Sequence, residues 1–481
     1  MKNQSKFAGL LVFAAAVISV VLSSYQPTKP PYNISFYDVY RDFVAEAQLG
    51  IDLGTTYSVA AICFRGEVNV VAVDGHELTP SVVHFPSLPK GREKTDLSFV
   101  EVGHAAKERR KEWPGQSVHG SKRFIGLKYS EVSFAAEETD IEIGSDEAEN
   151  AVVVIRVEGE AYLVSPELVA AQILLNMKKF SEKAGFLPWI KRKMGFKFSS
   201  VVVSIPVSFT QDQKLATIRA GEFAGFSSVT LIEEPVAAAM SYGLHEQESS
   251  TNEPHYVLVF DIGGGTLDVA LLFLDSRIGN FLIDTTAGLP RLGGEDFDFA
   301  LAELILEKYA GLQGNSSSIG IRNDRRKWSL LMQAAERLKH TLTVDNEAEI
   351  CIGENHIQSV KSKITTGVDD SGDSPAFVNV EKCTLENNGS VVVRVSRPDF
   401  EDKIQPIVNN MLDPVKQVLH DARLTADAKL NVVLVGGTSR IPKVRSQLQK
   451  YLKNAKFYYE GIDPDKAVAI GAARSRGCTF K

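Results

Sequence analysis

Cysteine is scarce in this chain: four among 481 residues, at positions 63, 351, 383 and 478. They are too few and too scattered for a disulfide framework, and no C-x-x-C pair suggests zinc. They read as buried or surface thiols, since a reactive thiolate needs an electropositive setting. A basic excess is missing too. The 53 Lys and Arg against 60 Asp and Glu leave a formal charge of −7, so no charge excess draws the chain to nucleic acid. G-x-x-x-x-G-K-[ST], a strand-borne G-x-G-x-x-G, G-x-S-x-G and H-E-x-x-H are absent. Walker-type, dinucleotide-binding, serine-hydrolase and zincin readings fall with them. The nine histidines are scattered and read as surface or satisfied core.

What is present is a soluble globular composition, 44% hydrophobic and 23% charged, with enough apolar material for more than one core. Length alone suggests about three domains. Lys2 and Lys6 precede an apolar run over residues 7–22, followed by Ser23 and Ser24. That is the layout of a secretory signal peptide over residues 1–24; a retained signal anchor is the competing reading, since the run falls just short of a bilayer span. No stable membrane span is expected. Residues 25–48, with Pro27, Pro30 and Pro31 and then a helix-like stretch, read as a spacer. N-x-S sequons at Asn33, Asn315 and Asn388 fit a glycoprotein of the secretory pathway weakly. The C-terminal residues are not a K-D-E-L signal.

From Leu49 the pattern alternates strands and helices, which predicts an α/β fold. Strands are expected at 68–72, 201–205, 228–232, 257–260, 269–273 and 432–435. Helices are expected at 166–185, 211–225, 328–342, 400–419 and 467–474. Residues 354–390 are polar and read as a mobile surface insertion.

One internal echo organises the rest. Ile51-Asp52-Leu53-Gly54-Thr55-Thr56 is repeated in kind as Phe260-Asp261-Ile262-Gly263-Gly264-Gly265-Thr266. Each is an apolar strand, an Asp, a Gly/Thr hairpin tip and another apolar strand, which predicts two related lobes. A triphosphate needs unobstructed N–H donors, hydroxyls and a divalent cation. Gly54, Thr55 and Thr56 from one lobe, with Gly263, Gly264, Gly265 and Thr266 from the other, supply the donors and hydroxyls. Asp52 and Asp261, facing each other across the cleft, suit Mg²⁺ held largely through water. Alternation returns Asp268 to the Thr266 side of its strand. A third glycine-rich turn, Gly436-Gly437-Thr438-Ser439-Arg440, follows an apolar strand.

In this order the motifs resemble the heat-shock-70 (stress-70) chaperone family, built on an actin-like (ribonuclease H-like) two-lobed ATPase fold. The resemblance runs from about Gly50 to Arg474. It is carried by the segments above, by Lys122-Arg123-Phe124-Ile125-Gly126, by Glu234-Pro235-Val236, by Leu292-Gly293-Gly294-Glu295-Asp296, and by Asp463-Pro464-Asp465-Lys466. It is closest to a truncated microsomal stress-70 branch, an ATPase core with a leader and no peptide-binding domain. The resemblance implies ATP and ADP as ligands with Mg²⁺, and K⁺ as a further cation. Lys122 would reach the γ-phosphate and position the attacking water, with Glu234 and Asp268 ordering water and ions beside it. Asp52 and Asp261 would hold the Mg²⁺ shell, and Thr55, Thr56, Gly265 and Thr266 the phosphates. Gly436, Gly437, Thr438, Arg440 and Asp465 would line the nucleoside pocket, with Glu336, Lys339 and His340 opposite. The sequence departs from the family's usual residues at His340 and Lys214 (each for Arg), Glu233 (for Asn) and Ser208 (for Tyr).

The expected plan is lobe I over 49–245, lobe II over 246–440, and a segment 441–481 returning to lobe I. The leading reading is a monomeric ATPase of the endoplasmic reticulum lumen or microsome, or a secreted one, belonging to a stress response. Its hydrolysis would be independent of peptide, and nucleotide-exchange and J-type co-chaperones are the partner classes implied. The alternative is a nucleotide-gated binding module or scaffold whose turnover is incidental. A sugar kinase on the same fold lacks support from Lys122 and the Leu292–Asp298 segment.

Overall fold

In a computed structural model of the chain, residues 47–478 are described, apart from 65, 87–99, 133–140, 158, 185–196, 245–254, 276–279, 354–356 and 361–389. The leader, residues 25–46 of the expected spacer, Asn33 and Asn388 lie outside the described residues, as does all of the polar insertion except 357–360 and 390. The spacer ends earlier than position 48, since Gln48 opens the first strand.

The first lobe is built on strands β1 (Gln48–Asp52), β2 (Tyr57–Phe64), β3 (Glu67–Val70), β4 (Thr79–Pro80), β5 (Ser200–Ile205) and β6 (Ser228–Glu233). Their order is β6-β5-β1-β2-β3, with β4 pairing β2. β1 runs antiparallel to β2, with Asp52 opposite Val59, and parallel to β5. The second lobe uses β7 (His255–Ile262), β8 (Leu267–Asp275), β9 (Asn280–Leu289), β10 (Asn431–Val435) and β11 (Lys456–Tyr458), in the order β9-β8-β7-β10-β11. Here too a hairpin comes first, with Asp261 opposite Asp268, and the next two strands join parallel. Five strands in the same order and sense, twice, extend the echo in the sequence to whole sheets. The central strands are near-continuous apolar runs because helices cover both faces.

Smaller antiparallel sheets flank each lobe: Val82–His84 with Glu101–Val102 and Ser117–His119, and Ile143–Ser145 with Ala151–Val157 and Glu160–Val164, in the first; Glu347–Ile352 with Ile357–Val360 and Val391–Ser396 in the second. Ile357–Val360 was expected in a surface insertion and is instead a sheet strand, with Ile357 buried. The stretch expected as one helix over 400–419 is three: Arg397–Lys403, Gln405–Asn410 and Leu412–Asp421. Pro406 and Pro414 lack the N–H that a continuous helix would use. The helix expected from Trp328 begins earlier, at Arg325, because Asp324 accepts from the N–H groups of Arg326 (2.9 Å) and Lys327 (3.1 Å).

The helix Pro442–Tyr451 and strand β11 pack in the second lobe, where Val444, Leu448 and Leu452 join its core. The return to the first lobe therefore comes later than position 441, at the helix Ala467–Arg474. That helix lies between the two halves. Val468 and Ala472 pack with Ala237, Val259 and Val433, while Ala469 and Ala473 pack with Val59 and Ala61. The crossing is so close that a Cβ on Gly471 would fall 1.6 Å from the carbonyl oxygen of Ala237, and one on Gly50 would fall 2.2 Å from the nitrogen of Ala473. Only glycine fits at either point.

Immediately beyond this helix, Cys478 is disulfide-bonded to Cys63 of β2, 415 residues away in sequence, and Cys351 is disulfide-bonded as well. The expectation of thiols is overturned for these three, while Cys383 lies outside the described residues. Sequence spacing could not reveal the bond because only the fold brings the chain beyond residue 474 back to β2.

Candidate functional site

The two hairpins meet at the cleft between the lobes. At the first tip Gly54 is required by crowding: a Cβ there would lie 2.0 Å from the carbonyl oxygen of Tyr57. At the second tip a Cβ on Gly264 would lie 3.9 Å from Thr56 Oγ1, which puts the tips within one atom of each other. Gly436, with φ +78°, packs its backbone against β7, where a Cβ would lie 2.9 Å from Asp261 Oδ1. The third glycine turn thus sits against the acidic end of the second hairpin. Gly437 faces the carboxylate of Asp465, and Thr438 Oγ1 donates to the carbonyl of Gly263 at 3.0 Å.

Lys122 comes from a 3₁₀ turn, Ser121–Arg123, entered through Gly120 in the left-handed region. It is buried, and its ammonium donates to Glu234 Oε1 at 2.5 Å. Glu234 opens the helix Glu234–Ser241 directly after β6, followed by Pro235 in the first turn. Asp52 accepts from Ser204 Oγ at 2.6 Å. Desolvation raises its pKa to about 6 against the pull of Lys122, with Glu234 and Asp465 pushing upward. Asp261 is raised well above the usual carboxylate range, first by desolvation, then by Glu234, Asp268 and Asp52. Asp268, which accepts from Thr266 Oγ1 at 3.2 Å, is raised by desolvation and Glu234. These carboxylates repel one another in a desolvated cleft, an arrangement that favours a bound cation.

All the donors in this cluster are oxygens, which fits a hard divalent ion. Among the described residues no three His, Cys, Asp or Glu side chains converge closely enough to hold a metal ion. Mg²⁺ with one or two carboxylates and retained waters meets that condition.

On the far wall, Arg440 forms ion pairs with Asp463 and with Asp465, the latter at 2.8 Å. The imidazole pKa of His340 is lowered, chiefly by desolvation and then by Lys339, with Glu336 and Asp465 opposing. Glu336 is exposed. Lys339 departs from expectation: it is buried, and its ammonium donates to Asp298 Oδ2 at 3.0 Å and to the carbonyl of Gly294 at 3.1 Å. It lies beneath the second hairpin, engaged with protein rather than open to a nucleoside. Two of the family departures meet, since Lys214 Nζ lies 3.8 Å from Glu233 Oε1.

The sequence reading missed Ser204, the partner of Asp52, although a lone serine in an apolar strand was a signal for it. It also gave no role to Gly293 and Gly294. Gly294 N–H donates to the carbonyl of Gly263 (2.9 Å) and Glu295 N–H to that of Gly264 (2.7 Å), tying a helix start to the second tip.

A sequence profile of the Hsp70 protein family matches residues 48–371 and 371–478. The chain is 33% identical over 434 residues to a ribosome-associated molecular chaperone SSB of Candida glabrata, covering 90% of this chain and 61% of that protein. It is 33% identical over 432 residues to the chaperone protein DnaK of Thermus thermophilus, covering 89% and 60%. A heat shock 70 kDa protein of Neurospora crassa is 32% identical over 427 residues, covering 88% and 57%. The chain thus spans about three fifths of the length of these relatives.

Proposed function

The chain belongs to the Hsp70 protein family, and from that premise we propose that it is a Mg²⁺-dependent ATPase whose nucleotide lies between the two hairpins. The carrying observation is the meeting of the two Gly/Thr tips beside the Lys122–Glu234 pair and three desolvated aspartates. The backbone amides and hydroxyls of Thr55, Thr56 and Thr266, with the bare amides of Gly264 and Gly265, hold the phosphates. Asp52 and Asp261 would hold Mg²⁺, which would neutralise phosphate charge when bound. Glu234 keeps the Lys122 ammonium aimed along the first lobe's wall, where it offsets charge that develops on the transferring phosphoryl group. Glu234 and Asp268 accept hydrogen bonds from the attacking water and orient it. Gly437, Thr438, Arg440 and Asp465, with Glu336 and His340 opposite, form the nucleoside end. K⁺ remains a further expectation of the family resemblance.

The proposal extends to the chain's setting. It is a luminal or secreted protein of the microsomal stress-70 kind, whose hydrolysis client peptides do not stimulate. The leader-like residues 1–24 support the address. The Cys63–Cys478 bond supports it independently, because such bonds persist in oxidising compartments. Nucleotide-exchange and J-type proteins are the partners the family suggests, and the chain is taken as a monomer.

The test is ATP hydrolysis by the chain lacking residues 1–24, with and without Mg²⁺ and a client-like peptide, alongside Lys122→Ala. Mg²⁺-dependent turnover that Lys122→Ala abolishes and peptide leaves unchanged is expected. A wild type without turnover sinks the ATPase reading. If Lys122→Ala keeps ATP and its cellular role, the nucleotide-gated module is the better account.

A further inference from the structure

The first hairpin has a support that none of the nucleotide-binding assignments includes. Ser81 follows β4 and is buried, as is Ser58 at the start of β2. Ser81 Oγ donates to the carbonyl of Gly54 at 2.7 Å. That leaves Ser58 Oγ, 2.9 Å away, to donate to Ser81. The backbone N–H of Ser81 donates to the carbonyl of Thr56 at 2.9 Å. One residue therefore grips two alternate carbonyls of the tip. A trans peptide is planar with its C=O and N–H pointing opposite ways. Turning the Gly54 and Thr56 carbonyls toward Ser81 turns the N–H groups of Thr55 and Tyr57 away from it. A small cavity behind the tip, lined by Gly54, Thr55, Ser81, Ser121 and Lys122, leaves the loop room to shift if the grip is lost.

We propose that Ser81, relayed by Ser58, is a positioning residue that sets the peptide planes of the first hairpin so that its amides present to phosphate. The inference rests on the assignment of this hairpin to the phosphates. It implies a dependence on the ligand's phosphates and not on its nucleoside.

The test is calorimetric titration of ATP and of adenosine into the chain lacking residues 1–24, as wild type, Ser81→Ala and Ser58→Ala. Ser81→Ala is expected to weaken ATP about five- to tenfold, the scale of one hydrogen bond of roughly 1 kcal/mol, and to leave adenosine unchanged. Ser58→Ala, which keeps the bond to Gly54, is expected to weaken ATP about twofold. Equal losses for ATP and adenosine mean a general structural role and overturn the proposal, as does unchanged ATP affinity in Ser81→Ala. Should Ser81→Ala not fold, Ser58→Ala decides, and an unchanged ATP affinity there overturns it. A wild type that binds no ATP overturns the functional assignment as well, an outcome distinct from the others.

Discussion

The two hairpins share one sequence plan and are held by different chemistry. The first is braced by uncharged hydroxyls, Ser81 and Ser58, and its outgoing strand β2 is covalently tied at Cys63 to the segment beyond the inter-lobe helix. The second is braced by the backbone of Gly294 and Glu295 and by Thr438, with a buried ion pair, Lys339–Asp298, beneath them. Repetition of a supersecondary unit conserves strand order and tip composition. It does not conserve the scaffold behind the tip, so matched tips can respond differently to pH and mutation.

The covalent tie gives the largest expected difference. Cys478→Ser should lower stability by about 2–4 kcal/mol in urea denaturation, and the wild type should approach the variant when unfolded in the presence of a strong dithiol reductant. ATP affinity should hold, because Cys63 lies at the end of β2 away from the tip. A variant that binds ATP poorly would mean that the tie reaches the first hairpin after all.

Next comes the backbone brace of the second hairpin. A Cβ at Gly293 would lie 2.5 Å from the nitrogen of Gly265 and 2.6 Å from the carbonyl oxygen of Gly264, and neither is a side chain that can swing aside. Gly293→Ala should weaken ATP about a hundredfold, the upper end of the roughly 1–3 kcal/mol that overpacking imposes, with adenosine affected far less. Calorimetry on both ligands checks it. Undiminished ATP binding would remove the second tip from the phosphate site.

The tips themselves were legible in the sequence because glycine, threonine and aspartate at fixed order carry their chemistry locally. The inter-lobe helix at 467–474 was legible for the same reason, its small residues and periodicity being local. The braces were not. Ser81 reaches Gly54 across 27 residues and Lys339 reaches Gly294 across 45, contacts that only the fold creates. The disulfide was misread for the same reason, since two distant cysteines carry no pairing signal. Lys339 was placed against a nucleoside by the family resemblance, but its place on the buried face of its helix turns it toward Asp298 and Gly294.

The ion pair makes the second brace titratable where the first is not. Burial raises the Asp298 carboxyl to about 6 against the pull of Lys339. The unfolded value is roughly 3.9, so between pH 4 and 6 the folded chain holds a proton that the unfolded chain has lost. This group's contribution is therefore fully present below pH 4 and declines as pH rises through about 6. Denaturation from pH 4 to 7 should show the wild type losing on the order of 2 kcal/mol relative to Asp298→Asn. Ser81→Ala should leave the slope of the wild type intact. Parallel slopes for wild type and Asp298→Asn would refute the titration.

The smallest effect belongs to His340, which the proposed function places at the nucleoside end rather than at either tip. Its imidazole is held largely neutral near pH 7, with desolvation and Lys339 lowering its pKa and Glu336 and Asp465 opposing. A guanidinium there would keep its charge and a flat stacking face at any working pH. His340→Arg should therefore tighten ADP a few-fold at pH 7.5, with a smaller gain at a pH acid enough to protonate the imidazole itself. The change should appear equally with adenosine, because the residue acts on the nucleoside and not on the phosphates. Calorimetry with both ligands at both pH values reads it. A gain confined to ADP would place His340 in the field of the phosphates and blur the division between the tips and the nucleoside wall.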